Sequence, residues 1–388
     1  MKTAGIICEY NPFHNGHAYH IKQTKERFGA THIVAVMSGN FTQRGDAAIT
    51  DKWKRAEAAL KGGADLVIEL PVAYALGSAE QFAYGAVSLL NSLGCVDLLS
   101  FGSECGDIDL LGETVGAVQY AVQTEDFFAM MRHGDTYPVA LQKTIEKYYT
   151  DDVIETLATP NNTLGIEYMK QLDSFGSSIK PVTVKRFGAS HDSDEMRNNI
   201  ASASQLRKMI AEGKDVSQFM PYMELTDYAD ISRLETAILA KLRTMSLEEL
   251  EQVPNVLMGL ENRIHKAVRI APTLNDLLFL IKTKRYTMAR LRRIILCAFL
   301  GITKNDLKNP PSYVRILGMN SKGKEILSKA DCSIPIDTSL MALLKKGEQQ
   351  KKQALLEEKC DNIYALAFEK RLPCGIDFTA KPIILKEE

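Results

Sequence analysis

A chain of 388 residues is longer than one ordinary hydrophobic core sustains and fits two domains. Its 45% apolar and 24% charged content is that of a globular protein, and it has no run of about 18 apolar residues to cross a membrane. The formal net charge of −1 excludes a general attraction for nucleic acid, so any such binding has to come from a local patch.

The first element is a short apolar run opening the stretch that starts at Thr3, broken by Asn11-Pro12 and followed by a helix-compatible segment. Thr31 to Met37 reads as a second buried strand, ending in the loop from Ser38 to Gly45. Thr50 is placed to cap a helix over 51–61, and Asp65 to Leu70 is a third strand stopped by Pro71. Ser78-Ala-Glu-Gln81 fits a capping box opening a helix to about Ser92. Val96 to Phe101 is a fourth strand, leading into Gly102-Ser103-Glu104. Residues 105–160 read as mainly helical, and Thr159-Pro-Asn-Asn162 precedes a helix over 163–172. Ile179 to Lys185 is the fifth strand, with Arg186-Phe187 at its carboxyl end.

Strands alternating with helices predict a parallel sheet covered on both faces. In such sheets ligands bind beyond the carboxyl ends of the strands, where the strand order reverses. An order of 3-2-1-4-5 puts that point between strands one and four. The His14–His17 turn then faces the Phe101-Gly102-Ser103 turn across one crevice. From Pro221 the strand signals stop and residues 222–388 read as helices, which divides the chain into 1–220 and 221–388. Seven lysines or arginines and no acid lie between Leu277 and Asn305. There Met288, Leu291, Ile295, Ala298 and Phe299 recur at helical spacing to face a core, with Arg290 and Arg293 on the opposite side. Lys282, Lys284 and Arg285 lie just upstream beside Tyr286, so the segment reads either as solvated surface or as an RNA-backbone contact. The lysines from 345 to 352 read as a flexible excursion.

Two imidazoles three apart, a glycine between them and a helix N-terminus make a site suited to a polyphosphate, although metal ligation and plain surface are open alternatives. Asn162 reads as an N-cap, Gly102 as a turn glycine, and the loop with His191, Asp192 and Asp194 as solvated rather than metal-binding. Arg186 is placed to pair with phosphate oxygens and Phe187 to stack on a base. Cys8 reads as a strand residue. The seven cysteines form no CxxC pair and are odd in number, which fits reduced thiols, and the first residues lack a signal-peptide pattern; both suggest a cytoplasmic setting.

His14-Asn15-Gly16-His17 resembles the HxGH signature of the nucleotidyltransferase superfamily, and the string GIICEYNPFHNGHAYHI resembles the bacterial tRNA(Met) cytidine acetate ligases. Ile200-Ala-Ser-Ala-Ser-Gln-Leu-Arg207 resembles the ISSTxIR motif of that superfamily, with Ala203 and Leu206 as departures. The resemblance implies an α/β, Rossmann-like nucleotidyltransferase domain with a parallel sheet, followed by an α-helical tRNA-binding domain. It implies His14 and His17 as the catalytic pair. ATP contacts are implied at Ile7, Cys8, Glu9, Tyr10, Asn11, Pro12, Phe13, Asn15, Gly16, His20, Gly102, Asn162, Arg186 and Phe187, and at Ser202, Ser204 and Arg207. The implied RNA contacts are Lys282, Lys284, Arg285, Arg290 and Arg293. The activity implied is activation of acetate with ATP and acetylation of the wobble cytidine, nucleotide 34 of elongator tRNA(Met). Mg²⁺ would accompany ATP without a protein ligand set. The alternative is adenylyl transfer to a phosphomonoester, a chemistry whose enzymes share both motifs in shorter chains. A third, a nucleotide-binding regulator without chemistry, is disfavoured because both histidines, Gly16 and Arg207 occur together.

Overall fold

The computed structural model describes residues 1–186 and 200–386. The chain opens as β1 (Thr3–Cys8), α1 (Asn15–Phe28), β2 (His32–Ser38), a two-rung hairpin of β3 (Phe41–Thr42) and β4 (Asp46–Ala47), α2 (Lys52–Lys61) and β5 (Leu66–Leu70). It continues through α3 (Val72–Ala75), α4 (Ala79–Ser92) and β6 (Leu98–Ser103). Four short helices follow, α5 (Ile108–Ala121), α6 (Glu125–Arg132), α7 (Tyr137–Ile145) and α8 (Asp151–Leu157), and then α9 (Pro160–Ser174) and β7 (Lys180–Lys185).

The neighbours β5-β2-β1-β6-β7 are all parallel, which is the expected 3-2-1-4-5 order, so the reversal falls between β1 and β6. Every residue of β2 and β5 is buried. Their near-continuous aliphatic runs suit strands covered on both faces by helices. The capping box at Ser78 and Gln81 forms as predicted. α2 is capped one residue later than expected, by Asp51, whose carboxylate accepts the Lys54 N–H. α9 starts earlier than expected, with Thr159 as its N-cap and Pro160 in the first turn, where a missing N–H costs nothing.

The reading of residues 222–388 as helices alone is corrected. β8 (Val314–Met319) pairs antiparallel with β5, β9 (Ile336–Asp337) pairs with β8, and β10 (Ile383–Ile384) lies parallel at the edge. The sheet therefore runs across position 220, in the order β10-β8-β5-β2-β1-β6-β7. Arg315 masks β8 in the sequence by interrupting an apolar run. In the fold it is a core position, paired with Glu69 at 3.2 Å and Asp377 at 2.7 Å. Lys52 is also fully buried, its Nζ 2.7 Å from Glu69, 2.7 Å from Asp361 and 2.8 Å from Asp377. Burial and the neighbouring Asp377 charge push the Asp361 carboxyl up to about 8. Against a burial that would raise it, Lys52 and Arg315 hold Asp377 well below the usual carboxylate range.

The helices Glu235–Thr244, Leu260–Ile270, Leu274–Ile281 and Met288–Leu300 share one core, which also takes in Phe41 and Ala47 of the hairpin and Val72, Ala73 and Leu76. The lysines at 351 and 352 lie on the helix Glu348–Tyr364 and not on an excursion; Lys352 pairs with Asp306 at 2.9 Å.

Candidate active site

The crevice is built first by the turn after β1. Tyr10 takes a positive φ of 47°, the Asn11–Pro12 peptide is cis, and α1 begins at Asn15 with His14 as N-cap. His14 Nδ1 accepts the Gly16 N–H at 3.0 Å, and His17 Nδ1 accepts the His14 N–H at 3.3 Å. The result is a capping box made from two imidazoles, their rings stacked at 3.8 Å between centroids. Because both Nδ1 atoms accept, each neutral ring carries its proton on Nε2 and presents a donor there. A Cβ on Gly16 would lie 2.9 Å from His14 Cε1, so the ring sits where only glycine leaves room. Burial, with the Arg186 charge adding to it, pulls His14 down to about 4. Burial, then the charges of His14 and Arg186, lowers His17 as well. At neutral pH both rings are uncharged donors at the N-terminus of a helix, where backbone dipoles favour an anion.

The flanking residues hold this turn from behind. Phe13 and Tyr10 are 0% and 2% exposed, and the Tyr10 ring stands 4.8 Å from that of His17. Ile7 and Pro12 are buried, and the Asn11 carboxamide oxygen accepts the Ile49 N–H at 2.7 Å. Asn15 Nδ2 donates to Gln218 O at 2.9 Å. Glu9 Oε1 accepts the Gln43 N–H at 2.6 Å. Burial pushes the Cys8 thiol far above its usual range, leaving it a strand residue and no thiolate. His20 Nε2 meets Ser100 Oγ at 3.0 Å, and that hydroxyl meets Thr24 Oγ1 at 2.7 Å, which fastens α1 across β6. Burial and the Arg186 charge take His20 down to about 4.

The facing wall is the end of β6 and β7. The Arg186 N–H donates to Ser103 O at 2.9 Å, and its side chain lies over Gly102, where a Cβ would press on Cγ at 3.1 Å. The expectation that Asn162 caps a helix is corrected, because the earlier start of α9 puts it inside the first turn. Its carboxamide oxygen accepts the N–H groups of Glu104 and Cys105 at 2.8 and 3.3 Å. The Glu104 carboxylate returns the bond, taking the Asn162 N–H at 2.9 Å. Phe187, His191, Asp192 and Asp194 lie outside the described residues.

The second motif folds onto this turn. Ser202 is the N-cap of α10 (Ala203–Ala211), its hydroxyl accepting the Gln205 N–H at 3.2 Å. Arg207 Nη1 donates to Asn11 O at 2.6 Å and its Nη2 to Ser204 Oγ at 3.3 Å. Arg44, which the motifs did not single out, donates to the same Ser204 Oγ at 2.9 Å. The signal was available: Arg44 sits in the loop beyond the carboxyl end of β2, where ligands gather in this architecture.

The basic segment divides. Lys282, Lys284 and Arg285 are exposed between the helices Leu274–Ile281 and Met288–Leu300. The expected free face carrying Arg290 and Arg293 is corrected, because the β3–β4 hairpin and the 255 turn cover it. Arg290 Nη2 donates to Asn255 O at 3.1 Å and lies over the Tyr286 ring, and Arg293 Nη1 donates to Gln43 O at 2.9 Å. Among the described residues no group of three or more His, Cys, Asp or Glu is placed to hold a metal, and no helix is long and apolar enough to cross a membrane.

A mostly parallel sheet with a histidine–glycine turn at its switch point defines the class. The sequence model of the family described as HIGH Nucleotidyl Transferase matches residues 1–374. A curated protein of Thermoanaerobacter sp. named tRNA(Met) cytidine acetate ligase is 40% identical over 404 residues, covering 97% of this chain and 98% of its own. One of the same name from Acetivibrio thermocellus is 38% identical over 416 residues, covering 99% of this chain and all of its own. The crystal structure of Thermotoga maritima TmcAL bound with alpha-thio ATP superposes with a TM-score of 0.89 at 31% identity, covering 100% of both chains. The chain belongs to the HIGH nucleotidyl transferase family and, within it, to the tRNA(Met) cytidine acetate ligases.

Proposed function

We propose that this chain is an ATP-dependent ligase that activates acetate as acetyl-AMP and acetylates the exocyclic amine of the wobble cytidine of elongator tRNA(Met), giving N4-acetylcytidine. The observation that carries the reading is the stacked His14–His17 pair at the start of α1, facing Arg186 across the crevice, in a chain matched to its relatives over nearly its whole length.

Acetate is already ionised at neutral pH, so its oxygen attacks the α-phosphorus without a general base. That bond forms as the bond to the β-phosphate oxygen breaks and pyrophosphate leaves. The chain's task is to align the two reactants and stabilise charge on the departing phosphates. The Nε2–H donors of His14 and His17, the positive dipole end of α1, Arg186 and Arg207 suit it. Gly102 and Asn162 shape the facing rim. Mg²⁺ would arrive on the nucleotide.

The cytidine amine then attacks the acetyl carbonyl, an amide forms, AMP leaves and the amine loses a proton. Cytosine's amine is a weak nucleophile, so the mixed anhydride has to be held away from water until the base is presented out of its stack. Lys282, Lys284 and Arg285 supply exposed charge for the tRNA backbone, and the reaction belongs to the cytoplasm.

The test is incubation with labelled acetate, ATP and bulk tRNA, followed by nucleoside mass analysis. Acetylcytidine is expected only when all three are present. AMP transferred to a phosphomonoester, with no acetylated nucleoside, would replace this reading by the adenylyltransferase one.

A further inference from the structure

The β3–β4 hairpin joins the crevice to the basic segment, and Arg44 is at its tip. The turn at the tip is fixed from both sides: the Gln43 N–H donates to Glu9 Oε1 at 2.6 Å, and Gln43 O accepts from Arg293 Nη1 at 2.9 Å. Gly45, at φ 75°, lies so close to the helix Met288–Leu300 that a Cβ would stand 2.7 Å from Arg292 Cβ and from the Arg293 N. Arg44 is nevertheless exposed, and its Nη1 shares the Ser204 hydroxyl with Arg207.

Two guanidiniums held on one neutral oxygen repel each other, and among the described residues neither makes an ion pair. The carboxylates closest in charge, Glu9 and Asp46, favour the charged Arg207 but make no direct ion pair with either guanidinium, since Glu9 accepts the Gln43 N–H and Asp46 the Ala47 N–H at 2.9 Å. An exposed fork of donors beside a second guanidinium, with no carboxylate bonded to it among the described residues, is placed to take the oxygens of an incoming anion.

We infer that Arg44 is a further substrate-binding residue, holding the backbone phosphate of the tRNA nucleotide whose base enters the crevice. The inference rests on the ligase reading above. The tRNA is favoured over the ATP phosphates as the source because Arg44 is exposed on the rim, between α10 and the basic helix. A base turned out of its stack needs its own phosphodiester held at such a rim.

The experiment compares Arg44→Gln and Arg44→Lys with the wild type, measuring KM for tRNA at several salt concentrations and KM for ATP in acetyl-AMP formation without tRNA. With Gln, KM for tRNA is expected to rise about tenfold. The slope of log affinity against log salt is expected to fall by roughly one contact's worth, 0.7 to 0.9. With Lys, the slope is expected to return while KM recovers only in part, since charge is restored without the fork. An unchanged KM and slope for tRNA in Arg44→Gln would overturn the inference, and a rise confined to KM for ATP would give Arg44 to the triphosphate instead. A wild-type enzyme that forms no acetyl-AMP would overturn the ligase reading itself, a separate result.

Discussion

Two cationic clusters lie on the same sheet and do opposite things with their charge. In the core between β5, β8 and the last helices, Lys52 and Arg315 are enclosed, and Glu69, Asp361 and Asp377 close around them at 2.7 to 3.2 Å. In the crevice, Arg207 and Arg44 spend their donors on a carbonyl and a hydroxyl, and the nearby acids Glu9 and Asp46 each accept a backbone N–H. The first cluster is complete, so it stabilises the fold. The second makes no ion pair among the described residues, which leaves it open to an incoming anion. Burial with matched acid marks structure here, and cations left over at the carboxyl ends of strands mark the ligand.

The comparison breaks most readily at its buried half. Lys52→Met leaves carboxylates enclosed without their cation, and is expected to cost about 3 to 5 kcal/mol. Denaturant unfolding checks it, and a loss under about 1 kcal/mol would mean that the cluster neutralises itself by taking up a proton.

The crevice is tested by a pair of variants at its cap. Both His14→Ala and His14→Asn are expected to slow acetyl-AMP formation roughly 10²- to 10³-fold, the scale of losing one preorganised donor. Only the alanine should also lose about 1 kcal/mol of stability, because asparagine can still cap α1. Pyrophosphate release and thermal melting read the two effects apart. Full turnover in His14→Asn would reduce the imidazole to a cap.

The two clusters should also respond to pH with opposite sign. His14 and His20 sit at about 4 in the fold against an ordinary 6.5, so between those values the unfolded chain holds more protons. Their contribution to stability is full above about 6.5 and is lost as pH falls toward about 4. Asp361, raised from 3.8 to about 8, contributes at low pH and loses that contribution as pH rises through about 8. His20→Gln should therefore remove a rise in stability between about pH 4 and 6.5, and Asp361→Asn a fall in stability between about pH 4 and 8. Identical curves for wild type and both variants would separate neither cluster.

The smallest effect belongs to the surface. Replacing Lys282, Lys284 and Arg285 by alanine should leave the melting temperature in place and lower the salt slope of tRNA binding by roughly two to three contacts' worth. Filter binding across a salt series checks it. An unchanged slope would move the tRNA contact to another face.

Much of this molecule is local and therefore legible in its sequence. The apolar runs of β1, β2, β5, β6 and β7, the cap at Ser78 and the turn at Asn11-Pro12 are set by residue type and spacing, because period and punctuation are short-range properties. The alternation of strands and helices pointed to the parallel sheet, and the assumed order 3-2-1-4-5, which the fold has, put the crevice between β1 and β6. The tertiary structure alone decided what depends on partners far along the chain. Arg315 is a core residue because Glu69 and Asp377 meet it there, so β8 became a strand that its own composition conceals. Arg290 and Arg293 face carbonyls of the 255 turn and the hairpin instead of solvent, and Asn162 shapes a loop from inside a helix. Arg44 acquires meaning only because Ser204, 160 residues away, brings Arg207 beside it. A sequence states which charges exist; which of them find an opposite charge is settled only when the chain has closed on itself.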